Sequence, residues 1–224
     1  MGLDMVPMGK AKPGHEATFK KLYYELINFK EPKVSWLDKL IGKKDNTKEQ
    51  LHEQWLAMQT SSFETLGAPM VGRDENANVW AKEQYEDTAK EISEADFLKK
   101  MDGHYVLELA EDSAGISKYV SNLYDRNVFR GQFLQECIPV IGEELVNEAW
   151  ETKFAEEALD YARRLNDVVD PIATTNELAY LKTQRDFPEE FGENDLATQL
   201  HILYSLINWL NFYGERGHGY EADY

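Results

Sequence analysis

Apolar residues recur every three or four positions through most of this chain. Phe19, Leu22, Tyr23, Leu26 and Ile27 mark a first helix, with Pro13 suited to its N1 position and Pro32 as its stop. Thr47-Lys48-Glu49-Gln50 is a capping box, in which the Thr hydroxyl and the Gln amide can each satisfy a free backbone N–H. Leu51, Trp55 and Met58 form the stripe behind it. A loop with Gly67, Pro69 and Gly72 precedes a helix over 77–90, and Ser93-Glu94-Ala95-Asp96 opens a shorter one that Gly103 closes.

The spacing then changes. His104 to Ala110 is rich in Val, Leu and Tyr and too short for a helix between its turn signals, so it predicts a strand. Met1 to Met8 is a weaker strand candidate, and the two are expected to pair. Gly142 to Val169 is the longest amphipathic run, with Trp150, Phe154, Ala158, Tyr161, Leu165 and Val169 on one buried face and Pro171 at its end. Thr174-Thr175-Asn176-Glu177 reads as another capping box. A last helix over 195–213 stops at Gly214, and a Gly-rich tail reads as loop. These elements predict one globular domain over 1–224, mainly α, with a small two- or three-stranded antiparallel sheet that needs helices over it.

Charge sharpens the picture. The net charge is −17, yet the first fifty residues hold ten Lys, no Arg and seven acids, a local excess of +3 that leaves −20 on the rest. Aromatic residues (five Trp, twelve Tyr, ten Phe) are spread along the whole length, so the acidity is not that of a disordered tail. It disfavours nucleic acid bound through its phosphates and an anionic membrane leaflet. The longest apolar stretch, Leu196 to Tyr213, is broken by Gln199, His201, Ser205, Asn208 and Asn211, which fits a core helix and not a membrane span. Cys137 is the only cysteine, so no intrachain disulfide can form. With no apolar signal-peptide core at the N-terminus, a reducing, cytoplasmic setting is the expectation.

Candidate chemistry is thin. Glu49 and His52 share one helix face at the i,i+3 spacing that di-iron bundles use to hold metal. Glu215 and His218 repeat the spacing within a Gly-rich loop. Arg126 and Arg130, four apart, would form a two-pronged anion clamp on a helix, or pair with the chain's many carboxylates. Cys137 follows Glu136, which disfavours a thiolate and points to a small buried hydrophobe. Arg73-Asp74 follows a Gly-bearing loop but lacks GxxxxGK[ST] or GxGxxG. The paired glutamates at 143–144, 156–157 and 189–190 diverge on a helix and read as solvated faces. His201, Tyr204 and Asn208 lie along one helical line, as pocket, core or interface. No cofactor is implied.

Three stretches carry a resemblance: Met1-Gly2-Leu3-Asp4-Met5-Val6-Pro7-Met8-Gly9, Glu64-Thr65-Leu66-Gly67-Ala68-Pro69, and Phe129-Arg130-Gly131-Gln132-Phe133-Leu134 running to Cys137. In these the chain resembles an uncharacterised group of bacterial proteins that open with Met-Gly-Leu-Asp. The resemblance implies a bacterial soluble protein and carries no activity, cofactor or site with it. The leading expectation is therefore a non-enzymatic interaction protein, meeting a basic protein partner or associating with itself as a homodimer. The alternative is an enzyme or small-ligand binder using Arg126 and Arg130 for an anion or Glu49 and His52 for a metal.

Overall fold

The computed structural model describes residues 2–30, 47–86, 92–110, 120–121, 127–185, 192 and 195–224. The chain divides into two compact units, Met1–Met8 with Ser61–Tyr224, and Gly9–Thr60. That division coincides with the charge asymmetry: all ten lysines of the first fifty residues lie in Gly9–Thr60, whose net charge is +3.

In the larger unit, strand β1 (Asp4–Pro7) belongs to an antiparallel sheet. In the smaller unit, β2 (Lys10–Ala11), helix α1 (Glu16–Ile27), helix α2 (Lys48–Ala57) and β3 (Gln59–Thr60) form a helical pair closed by a two-stranded ribbon. The capping box is present: Gln50 N–H donates to Thr47 Oγ1 and Thr47 N–H donates to Gln50 Oε1. Phe19, Leu22, Leu26, Leu51 and Trp55 are buried as the stripes require. Phe19 stacks on Trp55 with ring centroids 5.3 Å apart. Ile27 departs from its stripe. It is 59% exposed, because it ends α1 one residue beyond the turn on which Leu26 packs.

The larger unit continues with α3 (Ser62–Thr65), α4 (Glu75–Glu86) and α5 (Glu94–Met101), the last capped by Ser93, whose Oγ accepts from Asp96 N–H. Its sheet runs β4–β5–β1–β6, with β4 Val120–Ser121, β5 Val128–Arg130 and β6 Tyr220–Asp223. A 3₁₀ segment (Gly131–Cys137) leads to α6 (Ile138–Glu148), which is broken at Gly142 (φ 79°). Then follow α7 (Ala155–Thr175), a 3₁₀ segment (Ala179–Thr183) and α8 (Leu196–Glu215). The most extensive helix–helix contact is α7 on α8. Helix α8 is buried on nearly every side, so it carries apolar residues all round where a surface helix would show a stripe.

The fold is mainly α with minor antiparallel β, as predicted, but the strands are not the predicted pair. His104 to Ala110 makes a single antiparallel bridge, Tyr105 to Met70, and coils into a 3₁₀ turn at Leu107–Leu109. Among the described residues its backbone partner is the short loop 69–71, through Val71 N–H to His104 O and Val106 N–H to Pro69 O, and no longer ladder forms there. Strand β1 pairs instead with β5 and with β6, which follows the Gly-rich stretch over 214–219 and is not among the predicted strands.

The long run over 142–169 is two helices. The chain turns between Glu148 and Ala155, and Glu157 accepts from Phe154 N–H to start α7. Pro171 does not end α7. It stands on the exposed side, where its missing donor costs least, and the helix runs four residues further. The supposed capping box at 174–177 is therefore a helix end. Leu178 N–H donates to Ala173 O and Glu177 N–H to Thr174 O around Glu177 at φ 61°, a Schellman closure. Gly214 likewise does not stop α8. A β-carbon there would lie 2.7 Å from Leu159 Cγ, so the glycine serves close packing of α8 on α7.

Candidate functional site

The residues picked out by spacing are spent on the fold where the structure describes them. Arg130 faces Asp4 across the β1–β5 pair and donates to its Oδ2 at 2.6 Å. It thus works as a cross-strand ion pair, while Arg126 lies outside the described residues. Glu49 and His52 are both exposed on α2. The Glu49 carboxyl is held below its usual range by its own backbone amide at the helix start and by Thr47. Among the described residues, no group of three or more His, Cys, Asp or Glu is placed to hold a metal ion.

His218 is fully buried and bridges two distant segments, Nδ1 to Met8 O at 2.9 Å and Nε2 to Thr65 Oγ1 at 2.6 Å. Cys137 is buried, with its thiol directed at Gln199 O and Phe133 O, and burial followed by the neighbouring Glu136 charge pushes its pKa far up. That is a small hydrophobe with a weak donor, not a nucleophile.

The line His201, Tyr204, Asn208 divides. Tyr204 Oη donates to Asp170 Oδ1 at 2.9 Å, Asn208 Nδ2 donates to Lys182 O at 3.0 Å, and His201 is fully buried. Asp170 also accepts from Lys182 and Asn166. Burial raises its carboxyl, but the bonds from Lys182, Tyr204 and Asn166 outweigh burial and hold it below its usual range. The cluster ties α7, α8 and the segment 179–183 together.

Two surfaces stand out among the described residues. The first is an open groove of about 610 Å³ on the smaller unit, lined by Lys21, Tyr24, Glu25, Asn28, Phe29 and Leu51. Tyr24 is 49% exposed at this groove, and the nearby helix positions Ile27 and Leu56 are 59% and 48% exposed. Apolar side chains of this size are thus left in water on one small helical pair. Sequence periodicity could not separate Ile27 from the buried stripe, because both the buried and the exposed face of α1 carry apolar residues.

The second is a polar pocket of about 470 Å³ on the larger unit, where Glu64, Arg73, Asp74 and Asn76 meet Pro69 and Leu109. The loop between α3 and α4 builds it. Asp74 accepts from Met70 N–H at 2.7 Å and from Arg73 Nε at 2.8 Å, and these two bonds, the backbone one first, hold its carboxyl below the usual range. The Arg73 guanidinium lies over the Tyr105 ring, 5.6 Å from its centroid. Tyr105 Oη in turn donates to Glu64 Oε1 at 3.3 Å.

No family model matches the chain, and no curated protein or solved structure matches it. Among the described residues no helix is long and apolar enough to cross a membrane.

Proposed function

We propose that this protein acts by association and not by turnover, with the groove of the smaller unit as its docking face and a second copy of the chain as the occupant. The observation that carries this reading is the coincidence of exposed apolar side chains with the one basic stretch of an acidic chain. Tyr24, Ile27 and Leu56 stand exposed on the unit that carries +3, while the rest of the chain carries −20. The basic unit of one copy thus meets the acidic body of another. Burial of the exposed aromatic and aliphatic groups supplies affinity, on the order of 1.5–3 kcal/mol for each side chain fully covered. Opposite charge supplies the encounter rate and the salt dependence. Two chains of net charge −17 repel at long range, but at physiological ionic strength screening beyond about 8 Å leaves local complementarity in control.

Sedimentation of the full-length chain over a concentration series, at low and high salt, tests the reading. Association should weaken as salt rises, and a Tyr24→Asp, Ile27→Asp double substitution should leave a folded monomer. A single monomeric species at every concentration and ionic strength rules it out, and capture of an added basic protein by that monomer would assign the acidic body a different partner.

A further inference from the structure

We propose that the polar pocket of the larger unit binds a small zwitterion of the free amino-acid class, its carboxylate on Arg73 and its ammonium on Glu64. This inference is independent of the association reading, since the pocket lies wholly within the larger unit.

The pocket's groups divide into those that build it and those left to bind. Asp74 is a builder: its carboxylate is engaged by Met70 N–H and by Arg73 Nε. Tyr105 is another. Its ring stacks on Phe63 with centroids 5.0 Å apart, carries the Arg73 cation on its face, and directs its hydroxyl to Glu64. One aromatic side chain thereby holds both a cation and an anion of the same pocket. Arg73 commits its Nε to Asp74, and among the described residues its two terminal nitrogens make no ion pair. The guanidinium also interacts with the Tyr105 side chain, and a cation anchored in this way keeps terminal N–H donors able to receive a carboxylate. Asn76 accepts from Ala77 N–H through Oδ1, which leaves its amide nitrogen as a second donor.

Charge decides the class of ligand. The ionisable side chains Glu64, Arg73 and Asp74 sum to −1, on a chain whose own net charge is −17. A plain anion would gain Arg73 and be repelled by Glu64. A plain cation would gain Glu64 and leave Arg73 facing it. A molecule that carries one ammonium and one carboxylate a few bonds apart satisfies both ends, with Pro69 and Leu109 against its side chain. A cleft of about 470 Å³ suits a molecule of that size, small-ligand pockets running from about 300 to 1,000 Å³.

Thermal shift and titration calorimetry on the full-length protein test this with a panel of free L-amino acids as probes. L-leucinamide, which lacks the carboxylate, and N-acetyl-L-leucine, which lacks the ammonium, separate the two ends. At least one free amino acid should raise the melting temperature, and its amide and N-acetyl forms should not. Arg73→Ala, at an exposed position, should fold normally and lose the shift, and Glu64→Gln should weaken binding about tenfold or more, the loss of one charged contact. The proposal is overturned if no amino acid of the panel binds, if the N-acetyl form binds as well as its parent, or if Arg73→Ala binds unchanged.

Discussion

Gly219 lies against the backbone of Lys153 so closely that a β-carbon on it would stand 2.0 Å from the Lys153 carbonyl oxygen. The next residue, Tyr220, exchanges two backbone hydrogen bonds with Lys153, at 2.8 and 3.0 Å. Strand β6 is thereby fastened at once to β1 and to the turn between α6 and α7. Gly219→Ala must push these backbones apart, and overpacking of this kind costs about 1–3 kcal/mol. Chemical denaturation should give an unfolding free energy lower by that amount, read as a lower midpoint at an unchanged slope. A midpoint within error of the parent would mean that the turn yields freely and the clamp is unimportant.

Beneath that clamp Glu148 accepts from Lys153 Nζ at 3.0 Å and from both terminal nitrogens of Arg164, and both cations lie over the Tyr161 ring. Lys153 is nearly buried, with 7% of its side chain exposed. The bonds from Arg164, with help from Lys153 and against the cost of burial, hold the Glu148 carboxyl below its ordinary value of 4.5. The folded state therefore takes up this proton less readily than the unfolded chain. The stabilisation is complete above the unfolded value and is lost as pH falls through the folded one. Stability followed below pH 4.5 should decline, and Glu148→Gln should flatten that decline while lowering stability at neutral pH by about 2 kcal/mol, because Lys153 keeps only its longer contact to exposed Glu151 and Arg164 loses its carboxylate. Equal acid sensitivity in the variant would assign the decline to other carboxylates.

Legibility followed the range of the interaction. Thr47 with Gln50 and Ser93 with Asp96 cap helices across three residues, so their meaning is written locally and was readable. Strand β6 was not, because Tyr220–Asp223 is too short for an alternating pattern and pairs with residues more than two hundred positions away. Gly214 and Pro171 misled for a related reason. Each is a helix terminator by local propensity, and each is overruled by where its face points: Gly214 against Leu159, Pro171 toward solvent. The polar pocket is partly legible. Gly67, Pro69, Gly72 and Arg73 announce a loop with a cation, but Tyr105 and Leu109 come to it from thirty or more positions downstream.

Cys137 offers a chemical readout of global opening. Its thiol is fully buried between Phe133 and Gln199 carbonyls, and burial raises its pKa so far that no thiolate forms near neutral pH. A disulfide reagent should therefore label native protein only as fast as the core opens, with a rate that climbs with denaturant. Rapid stoichiometric labelling of the native state would show that the thiol has access to solvent and would reopen its case as a reactive group.

Glu177 holds φ at 61°, alone among the described non-glycine residues in the left-handed region, at the position of the Schellman closure of α7 where glycine is usual. A β-carbon in that conformation costs about 1 kcal/mol relative to glycine. The side chain is exposed, and none of its atoms takes part in the closure, which uses the Glu177 and Leu178 amides alone. Glu177→Gly removes the steric cost and keeps both hydrogen bonds, while glycine's greater freedom in the unfolded chain returns part of the gain. The net should be a stabilisation of about 0.5 kcal/mol, smaller than the steric cost and opposite in sign to most substitutions. Glu177→Ala, which keeps the β-carbon, should gain nothing. If the alanine variant proves as stabilising as the glycine one, the charge of Glu177 beside the negative end of the α7 dipole, and not its backbone angle, is the source of the strain.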